Sequence, residues 1–330
     1  MNSLQGIVPP LVTPLSSPDK MDSQSLAKLL DHVVKGGVAG VFILGTTGEG
    51  PSLTRQIKER LIVETCREIN NRIPVIVGIT DTSYRDSLSL AALAAENGAQ
   101  AVVLSAPYYF PISQEDLLQY VQKLSKECPL PIFLYNMPSC TKTTFEIETL
   151  KHLAQIDSIL GIKDSSGDML YFKQVAGLKQ IRPDWSVLIG PEQLIPEAIH
   201  CGGDGGVCGG ANLFPELYVR LFNASVQRQW HIIEKLQKWV MDIAEYIYKP
   251  AYLSGLKCAL SQNRLCLNIL AEPLRPAGRD QQIRIQNYLS QFDLVKEISS
   301  VSNRKIMETD SPLKKIKAGF SKKPAVNSLL

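Results

Sequence analysis

The chain has 330 residues, of which 45% are hydrophobic and 20% are charged, so it is long enough to bury a large core. Its net charge of +3 is concentrated at the C-terminus: residues 301–330 carry seven basic and two acidic side chains, which leaves the first 300 residues at −2. A nucleic-acid partner and an anionic membrane surface are therefore not expected.

Cysteine and histidine are distributed without the spacing of a metal site or a disulfide framework. Seven cysteines are scattered with no CxxC pair, and four histidines lie in stretches with helical character. We therefore expect no metal ion. The N-terminus lacks a charged and continuously apolar signal, and no run approaches the roughly 18 apolar residues of a membrane span. These features predict a cytoplasmic protein.

Short β-branched segments alternate with amphipathic segments of helical period along the chain. The predicted strands are 6–12, 40–46, 74–80, 101–107, 131–137, 159–165, 186–192 and 205–211. The predicted helices include 24–36, 54–69, 83–96, 113–126 and 168–180. Apolar strands that alternate with helices indicate a parallel sheet covered on both faces. Eight repeats favour an α/β fold closed into a (β/α)8 TIM barrel over an open doubly wound sheet.

The repeat ends after the eighth strand, and the remaining chain up to residue 292 has helical character. We predict a TIM-barrel catalytic domain over residues 1–225 and a small C-terminal helical domain over residues 226–296. Residues 297–330 form a basic segment with little hydrophobic period, which predicts a disordered tail. Two or three smaller domains are the alternative organisation.

Polar segments follow several predicted strands, at the barrel end where active sites form. They are GTTGEG (45–50), PYY (107–109), YNMPS (135–139), KDSS (163–166) and GPE (190–192). GTTGEG could offer backbone amides to a carboxylate or a phosphate. It lacks the GxxxxGK[ST] pattern of a P-loop, so nucleotide binding is not expected.

Lys163 is the most informative of these polar residues. It lies in GIKDS, where a buried barrel strand should be apolar unless the side chain serves the pocket. A buried ammonium group is costly, whereas a neutral amine can attack a carbonyl carbon. The pattern favours a nucleophilic lysine, with an ordinary strand-end lysine that reaches solvent as the alternative.

Four motifs in order carry a resemblance to a known family: GTTGEG, PYYFPISQEDL (107–117), YNMPS and GIKDSSGD (161–168). Over residues 4–292 the chain resembles the dihydrodipicolinate synthase and N-acetylneuraminate lyase family. The resemblance implies a class I aldolase that forms a pyruvate imine on a lysine and needs no other cofactor. The protonated imine turns C3 of pyruvate into an enamine nucleophile or allows the C3–C4 bond of a longer 2-keto acid to break.

The resemblance also implies roles for individual residues. Lys163 would carry the pyruvate imine, and Tyr135 would transfer protons to and from the substrate. Thr46 would belong to a hydroxyl relay with Tyr135. Thr47 and the backbone amide of Gly48 would bind the pyruvate carboxylate.

The resemblance also implies, through one further residue, that the protein forms a homo-oligomer. Tyr109 matches a relay residue that dimers of the family insert from the neighbouring subunit. We therefore expect a homo-oligomer, with a homotetramer built as a dimer of dimers favoured over a dimer. Packing at the rim of the barrel is the alternative role for this tyrosine.

The chain departs from the synthases of the family after the fifth strand. Those enzymes carry YNxPSRTG, in which the arginine binds the carboxylate of aspartate semialdehyde. Here the segment is YNMPSCTK, so Cys140 stands at the arginine position and cannot make a bidentate contact. Lys142 stands at a glycine position of the family and is not expected to replace the arginine.

Two other residues are candidates for substrate binding. Glu192 stands where the sugar-acid aldolases of the family hold substrate hydroxyls; an acid that serves a helix N-terminus is the alternative. Cys208 in the eighth strand would lie in the pocket wall, and packing in the barrel is the preferred interpretation of its role.

These observations favour a lyase that cleaves a hydroxylated 2-keto acid, of the sugar-acid or sialic-acid type, to pyruvate and an aldehyde. The first alternative is a 4-hydroxy-tetrahydrodipicolinate synthase that condenses pyruvate with aspartate semialdehyde. The others are a hydratase or dehydratase that uses the same imine and an inactive sensor that binds a keto acid. The fold does not distinguish these functions.

Overall fold

The computed structural model describes residues 3–290. Its main sheet has eight short parallel strands, in the spatial order β1-β8-β7-β6-β5-β4-β3-β2. The strands are β1 Gly6–Ile7, β2 Val41–Ile43, β3 Val75–Gly78, β4 Ala101–Ser105, β5 Ile132–Asn136, β6 Ile159–Asp164, β7 Ser186–Ile189 and β8 Gly205–Gly206. Each lies inside a segment that the sequence predicts as a strand. The proposed tail, residues 297–330, lies outside the described residues.

The two ends of the sheet meet, so the barrel closes. β1 pairs with β8 in parallel, with Ile7 opposite Gly206. Just beyond β1, the amide of Phe42 donates to the carbonyl of Pro9 at 3.0 Å, and the amide of Leu11 donates to the carbonyl of Phe42 at 2.8 Å. The predicted (β/α)8 barrel is confirmed, and closure removes the open sheet edges that an isolated sheet would expose.

Helices lie between the strands along the chain, and further helices follow the last strand. They are α1 Ser23–Lys35, α2 Arg55–Ile69, α3 Tyr84–Glu96, α4 Gln114–Glu127, α5 Pro138–Thr141, α6 Ile147–Leu153, α7 Met169–Gly177, α8 Ile195–His200, α9 Pro215–Val226, α10 Trp230–Tyr246, α11 Tyr252–Gln262 and α12 Arg279–Ser290. Within residues 3–290, no helix is long and apolar enough to cross a membrane.

Side-chain caps explain where several helices begin. Asp22, Thr54, Ser83, Ser113 and Asp168 each accept a hydrogen bond from a backbone amide in the first turn of the helix that follows. Such caps satisfy amides that have no partner inside the helix, and each contributes about 1 kcal/mol. The sequence did not predict the short antiparallel hairpin formed by Leu15–Ser17 and Lys20–Met21.

Large apolar side chains fill the interior of the barrel. Phe42, Ile76, Val103, Phe133 and Leu188 belong to one cluster and are each at most 5% exposed. Burying side chains of this size stabilises the fold by about 2 kcal/mol each. The barrel is therefore a packed core, and its open space lies at the carboxyl ends of the strands, where the functional residues gather.

Candidate active site

Lys163 and Tyr135 lie side by side at the carboxyl ends of β6 and β5. They are register partners in adjacent parallel strands, so their side chains point to the same face of the sheet. The Nζ atom of Lys163 lies 4.1 Å from the centroid of the Tyr135 ring and 5.4 Å from that of Phe42. Lys163 and Tyr135 are each 7% exposed. The amine is thus held against two aromatic rings in a nearly dry pocket, next to a phenol.

The turn after β2 brings a second hydroxyl to this pair. The Thr46 Oγ1 atom lies 3.4 Å from the Tyr135 hydroxyl oxygen, at the long end of hydrogen-bonding distance. Hydrogen bonds between catalytic groups often shorten only when a ligand is bound. The geometry is therefore compatible with proton transfer between Tyr135 and Thr46.

The next two residues of the turn present unsatisfied backbone amides. Within residues 3–290, the amides of Thr47 and Gly48 have no hydrogen-bond acceptor in the protein. The carbonyl of Gly48 accepts a hydrogen bond from the Thr13 hydroxyl at 2.6 Å, which holds the turn against the barrel. A Cβ atom at Gly48 would lie 2.9 Å from the carbonyl oxygen of Leu11, so the tight approach needs glycine. Adjacent free amides in a turn are suited to binding an anion such as a carboxylate.

Two adjoining cavities open at this end of the barrel and share Thr46, Tyr135 and Met137. The imine-side cavity, of about 270 Å³, is lined by Pro10, Thr46, Thr47, Tyr135, Met137, Lys163, Ser165, Gly190, Pro191, Glu192, Gln193, Val207, Gly209, Tyr248 and Tyr252. The outer cavity, of about 320 Å³, is lined by Phe42, Leu44, Gly45, Thr46, Pro51, Gly78, Thr80, Val103, Ser105, Tyr108, Tyr135, Met137, Cys140 and Thr141. Among these described residues the outer cavity has no Lys, Arg, Asp or Glu in its lining.

The Glu192 carboxylate is largely occupied by donors from the protein. Its Oε1 accepts hydrogen bonds from the hydroxyls of Tyr218 and Tyr248, both at 2.6 Å, and its Oε2 accepts one from the Gly210 amide at 2.9 Å. Burial raises the pKa of this carboxyl group, although the hydrogen bonds oppose the shift. A carboxylate has about four lone-pair positions, so little capacity remains for substrate hydroxyls. The contact of Glu192 with such hydroxyls stays a prediction.

The other candidate residues lie in three different environments. Cys140 is exposed and lines the outer cavity. Cys208 is completely buried, and burial raises the pKa of its thiol, so packing describes it better than contact with a substrate. Tyr109 is 74% exposed, and its ring packs edge-on against Phe110 with the centroids 4.9 Å apart. Tyr109 therefore projects from the protein surface, and its place in a relay stays a prediction.

Two tyrosines that the sequence did not indicate, Tyr248 and Tyr252, also line the imine-side cavity. The hydroxyl of Tyr252 lies 3.1 Å from Thr47 Oγ1, and the rings of the two tyrosines pack edge-on at 4.7 Å. Both residues lie near the start of α11, far along the chain from the polar strand ends. The aromatic run EYIYKPAY (245–252) was the available signal, but it does not reveal which barrel loop it reaches.

Metal-binding side chains are not gathered anywhere in the described part of the chain. No three His, Cys, Asp or Glu side chains within residues 3–290 come together in a way that could hold a metal ion.

The comparisons with known proteins agree with this geometry. The model of the dihydrodipicolinate synthetase family matches residues 3–292. The chain belongs to this family. The structure of dihydrodipicolinate synthase from Bacteroides thetaiotaomicron is 43% identical, has a TM-score of 0.86, and aligns over 88% of this chain and 100% of its own. The predicted family and enzyme class are confirmed: the family comprises class I aldolase-type lyases and synthases.

Two further relatives show how broad the family is. An uncharacterised DapA-like lyase of Halobacterium salinarum is 31% identical over 292 residues, which cover 88% of this chain and 95% of the relative. The prophage protein YagE from E. coli K12, solved in complex with pyruvate, is 25% identical with a TM-score of 0.83, and the match covers 87% of this chain and 98% of that protein. Members of the family work through a pyruvate imine on a lysine without an external cofactor.

Proposed function

We propose that this protein is a pyruvate-dependent class I aldolase that forms its imine on Lys163. The observation that carries the proposal is the pairing of Lys163 with Tyr135, a nearly buried amine whose Nζ lies 4.1 Å from the ring of a phenol. A neutral amine at this position can attack the carbonyl carbon of a keto acid. The neighbouring phenol can donate and accept the protons that imine formation and enamine formation require. The complex of the family member YagE with pyruvate supports the choice of keto acid.

The chemistry follows from the positions of these groups. The pyruvate carboxylate binds at the turn of Thr47 and Gly48, whose amides have no acceptor among the described residues. Thr47 and Lys163 line the same cavity, so C2 of the bound keto acid comes near the lysine. Nζ attacks C2, and loss of water leaves a protonated imine. Tyr135 then removes a C3 proton to give the enamine, which adds to an aldehyde; in the cleavage direction these steps are reversed. Hydrolysis of the imine releases the keto acid and returns the free lysine.

For the other half of the substrate, we propose an uncharged group that carries hydroxyls. The outer cavity has apolar walls, the hydroxyls of Thr80, Ser105 and Thr141, and no charged side chain among its described lining residues. Cys140 stands at its wall in place of a carboxylate-binding arginine. Burying an unpaired carboxylate in such a cavity would be costly. The favoured reaction is cleavage of a hydroxylated 2-keto acid to pyruvate and an aldehyde.

A second candidate is 4-hydroxy-tetrahydrodipicolinate synthase activity. The Bacteroides thetaiotaomicron structure, at 43% identity, is that of a dihydrodipicolinate synthase, which favours condensation with aspartate semialdehyde. Both candidates share the imine on Lys163 and differ in the aldehyde that reaches it. Turnover of a set of aldehydes with pyruvate separates the two.

Borohydride trapping tests the shared step. Reduction in the presence of pyruvate should convert the imine to a stable secondary amine, found by peptide mass spectrometry on the segment 161–168. Lys163→Met should abolish the adduct, whereas Lys173→Met, which changes an exposed lysine of α7, should leave it intact. An adduct on another lysine, or none in the wild type, would overturn the proposal.

A further inference from the structure

Helix α11 contacts the turn of Thr47, Gly48 and Glu49 at two points, one on either side of Gly48. Tyr252, the first residue of the helix, places its hydroxyl oxygen 3.1 Å from Thr47 Oγ1. One and a half turns later, the ammonium of Lys257 forms an ion pair with Glu49, and both side chains are completely buried. The turn is therefore fixed by a helix that is distant in sequence, and not only by the barrel strand that precedes it.

The ion pair is tied into the backbone on both sides. Lys257 also donates a hydrogen bond to the carbonyl of Ile269 at 2.7 Å, and Glu49 accepts one from the amide of Ala271 at 2.7 Å. Glu49 itself has a left-handed backbone conformation, with φ of 58°. These bonds fix the position of Glu49 relative to α11. The distance between the Tyr252 hydroxyl and Thr47 can therefore vary little.

Tyr252 is itself held in one position. Its ring packs edge-on against Tyr248 at 4.7 Å, and the Tyr248 hydroxyl is anchored on Glu192 at 2.6 Å. On the other side, a Cβ atom at residue 209 would lie 1.7 Å from the Tyr252 hydroxyl oxygen, so the glycine at that position leaves the space that the phenol occupies. A rigid donor is effective in positioning because little entropy is lost when a ligand binds.

The phenol is also kept protonated. Desolvation of its hydroxyl, together with the nearby Glu192 carboxylate, raises the pKa of Tyr252. A protonated phenol can donate to Thr47 Oγ1, and the hydrogen of Thr47 is then free to point elsewhere.

We propose that Tyr252 is a positioning residue that orients the Thr47 hydroxyl toward the carboxylate of the bound 2-keto acid. This inference rests on the proposed function, because it takes the turn at Thr47 and Gly48 to be the carboxylate site. It assigns helix α11 an indirect part in substrate affinity. Tyr252 acts through Thr47, so removal of its hydroxyl weakens pyruvate binding more than it slows the chemistry.

The test uses deuterium exchange at C3 of pyruvate, followed by NMR on the full-length protein without any aldehyde. Tyr252→Phe keeps the ring and removes the hydroxyl. It should raise the pyruvate concentration for half-maximal exchange about fivefold to tenfold, with the maximal rate within about twofold of the wild type. Tyr171→Phe is the matched control, because the Tyr171 hydroxyl donates to the carbonyl of Phe145, outside both cavities. It should change neither quantity.

A double-mutant cycle separates positioning from a general structural effect. Once Thr47→Val has removed the threonine hydroxyl, Tyr252→Phe should cause no further loss, whereas in a Thr47→Ser background it should act as in the wild type. Additive effects, an unchanged half-saturation in Tyr252→Phe, or a fall in its maximal rate alone would overturn the inference. Absence of exchange and of a trapped adduct in the wild type would instead overturn the proposed function and this inference with it.

Discussion

Tyr135 stands directly across from Lys163 on the neighbouring strand, and its ring centroid lies 4.1 Å from the lysine Nζ. The two strands are parallel and in register, so any substrate bound to the amine lies beside the phenol. The Tyr135 hydroxyl also lies 3.4 Å from Thr46 Oγ1. We therefore propose that Tyr135 moves the protons at C3 of a bound keto acid.

Tyr135→Phe should therefore separate packing from proton transfer. The variant keeps the ring over Lys163 and its edge-on contact with Phe42. We expect the maximal rate of C3 deuterium exchange to fall about 100-fold or more, the usual contribution of a positioned general acid–base. Pyruvate titration followed by NMR measures this rate. An exchange rate close to that of the wild type would show that another group moves the proton.

Cys140 provides a test of which aldehyde reacts with the pyruvate enamine. A bidentate arginine contact to a buried carboxylate is worth about 2 to 5 kcal/mol, or roughly 30-fold to 4000-fold in kcat/KM. Cys140→Arg should therefore raise kcat/KM for aspartate semialdehyde, whereas the control Cys140→Ser should not. The assay compares the semialdehyde with hydroxylated aldehydes in condensation with pyruvate. If the unmodified protein already prefers the semialdehyde by about tenfold or more, the synthase activity replaces the proposed cleavage.

Tyr109 tests whether the site depends on assembly. The residue is 74% exposed, and the predicted relay role requires it to reach the site of a neighbouring copy. We expect Tyr109→Phe to lower the exchange rate about tenfold to 100-fold while borohydride still traps the pyruvate imine. Sedimentation should show the same oligomer as the wild type. A diluted wild-type monomer with full activity would contradict a role for Tyr109 across subunits.

The buried Glu192 carboxyl group predicts a pH dependence of stability. Burial raises its pKa above the ordinary value of 4.5. A group whose pKa is raised in the folded state contributes stability that is present below the unfolded pKa and is lost as the pH rises through the folded pKa. We therefore expect the Glu192 contribution to the free energy of unfolding to decrease as the pH rises above about 4.5.

Urea unfolding across this pH range measures the effect in the wild type and in Glu192→Gln. The variant should lack the slope that Glu192 causes. It should also be less stable than the wild type at neutral pH, because the NH2 group of glutamine cannot accept a hydrogen bond from the Gly210 N–H or from the Tyr218 and Tyr248 hydroxyls. Identical pH profiles for the two proteins would show that Glu192 does not titrate as its burial implies.

Local patterns in the sequence were sufficient to predict the barrel and the candidate site residues on its strands. The alternation of apolar strands and amphipathic helices predicted all eight strands, because both periods are properties of neighbouring residues. Lys163 and Tyr135 could be expected to lie close together for a similar reason: the carboxyl ends of successive parallel strands meet at one face of a barrel.

Only the tertiary structure decided what surrounds that pair. The contact of Tyr252 with Thr47 joins residues 205 positions apart, and no periodic pattern specifies which distant helix reaches a given turn. In the same way, the sequence predicts Glu192 as an acid that contacts substrate hydroxyls. In the structure, the hydroxyls of Tyr218 and Tyr248 donate hydrogen bonds to its carboxylate. A buried polar group must find partners wherever the packed chain supplies them, so its partners depend on the whole fold and not on its neighbours in the sequence.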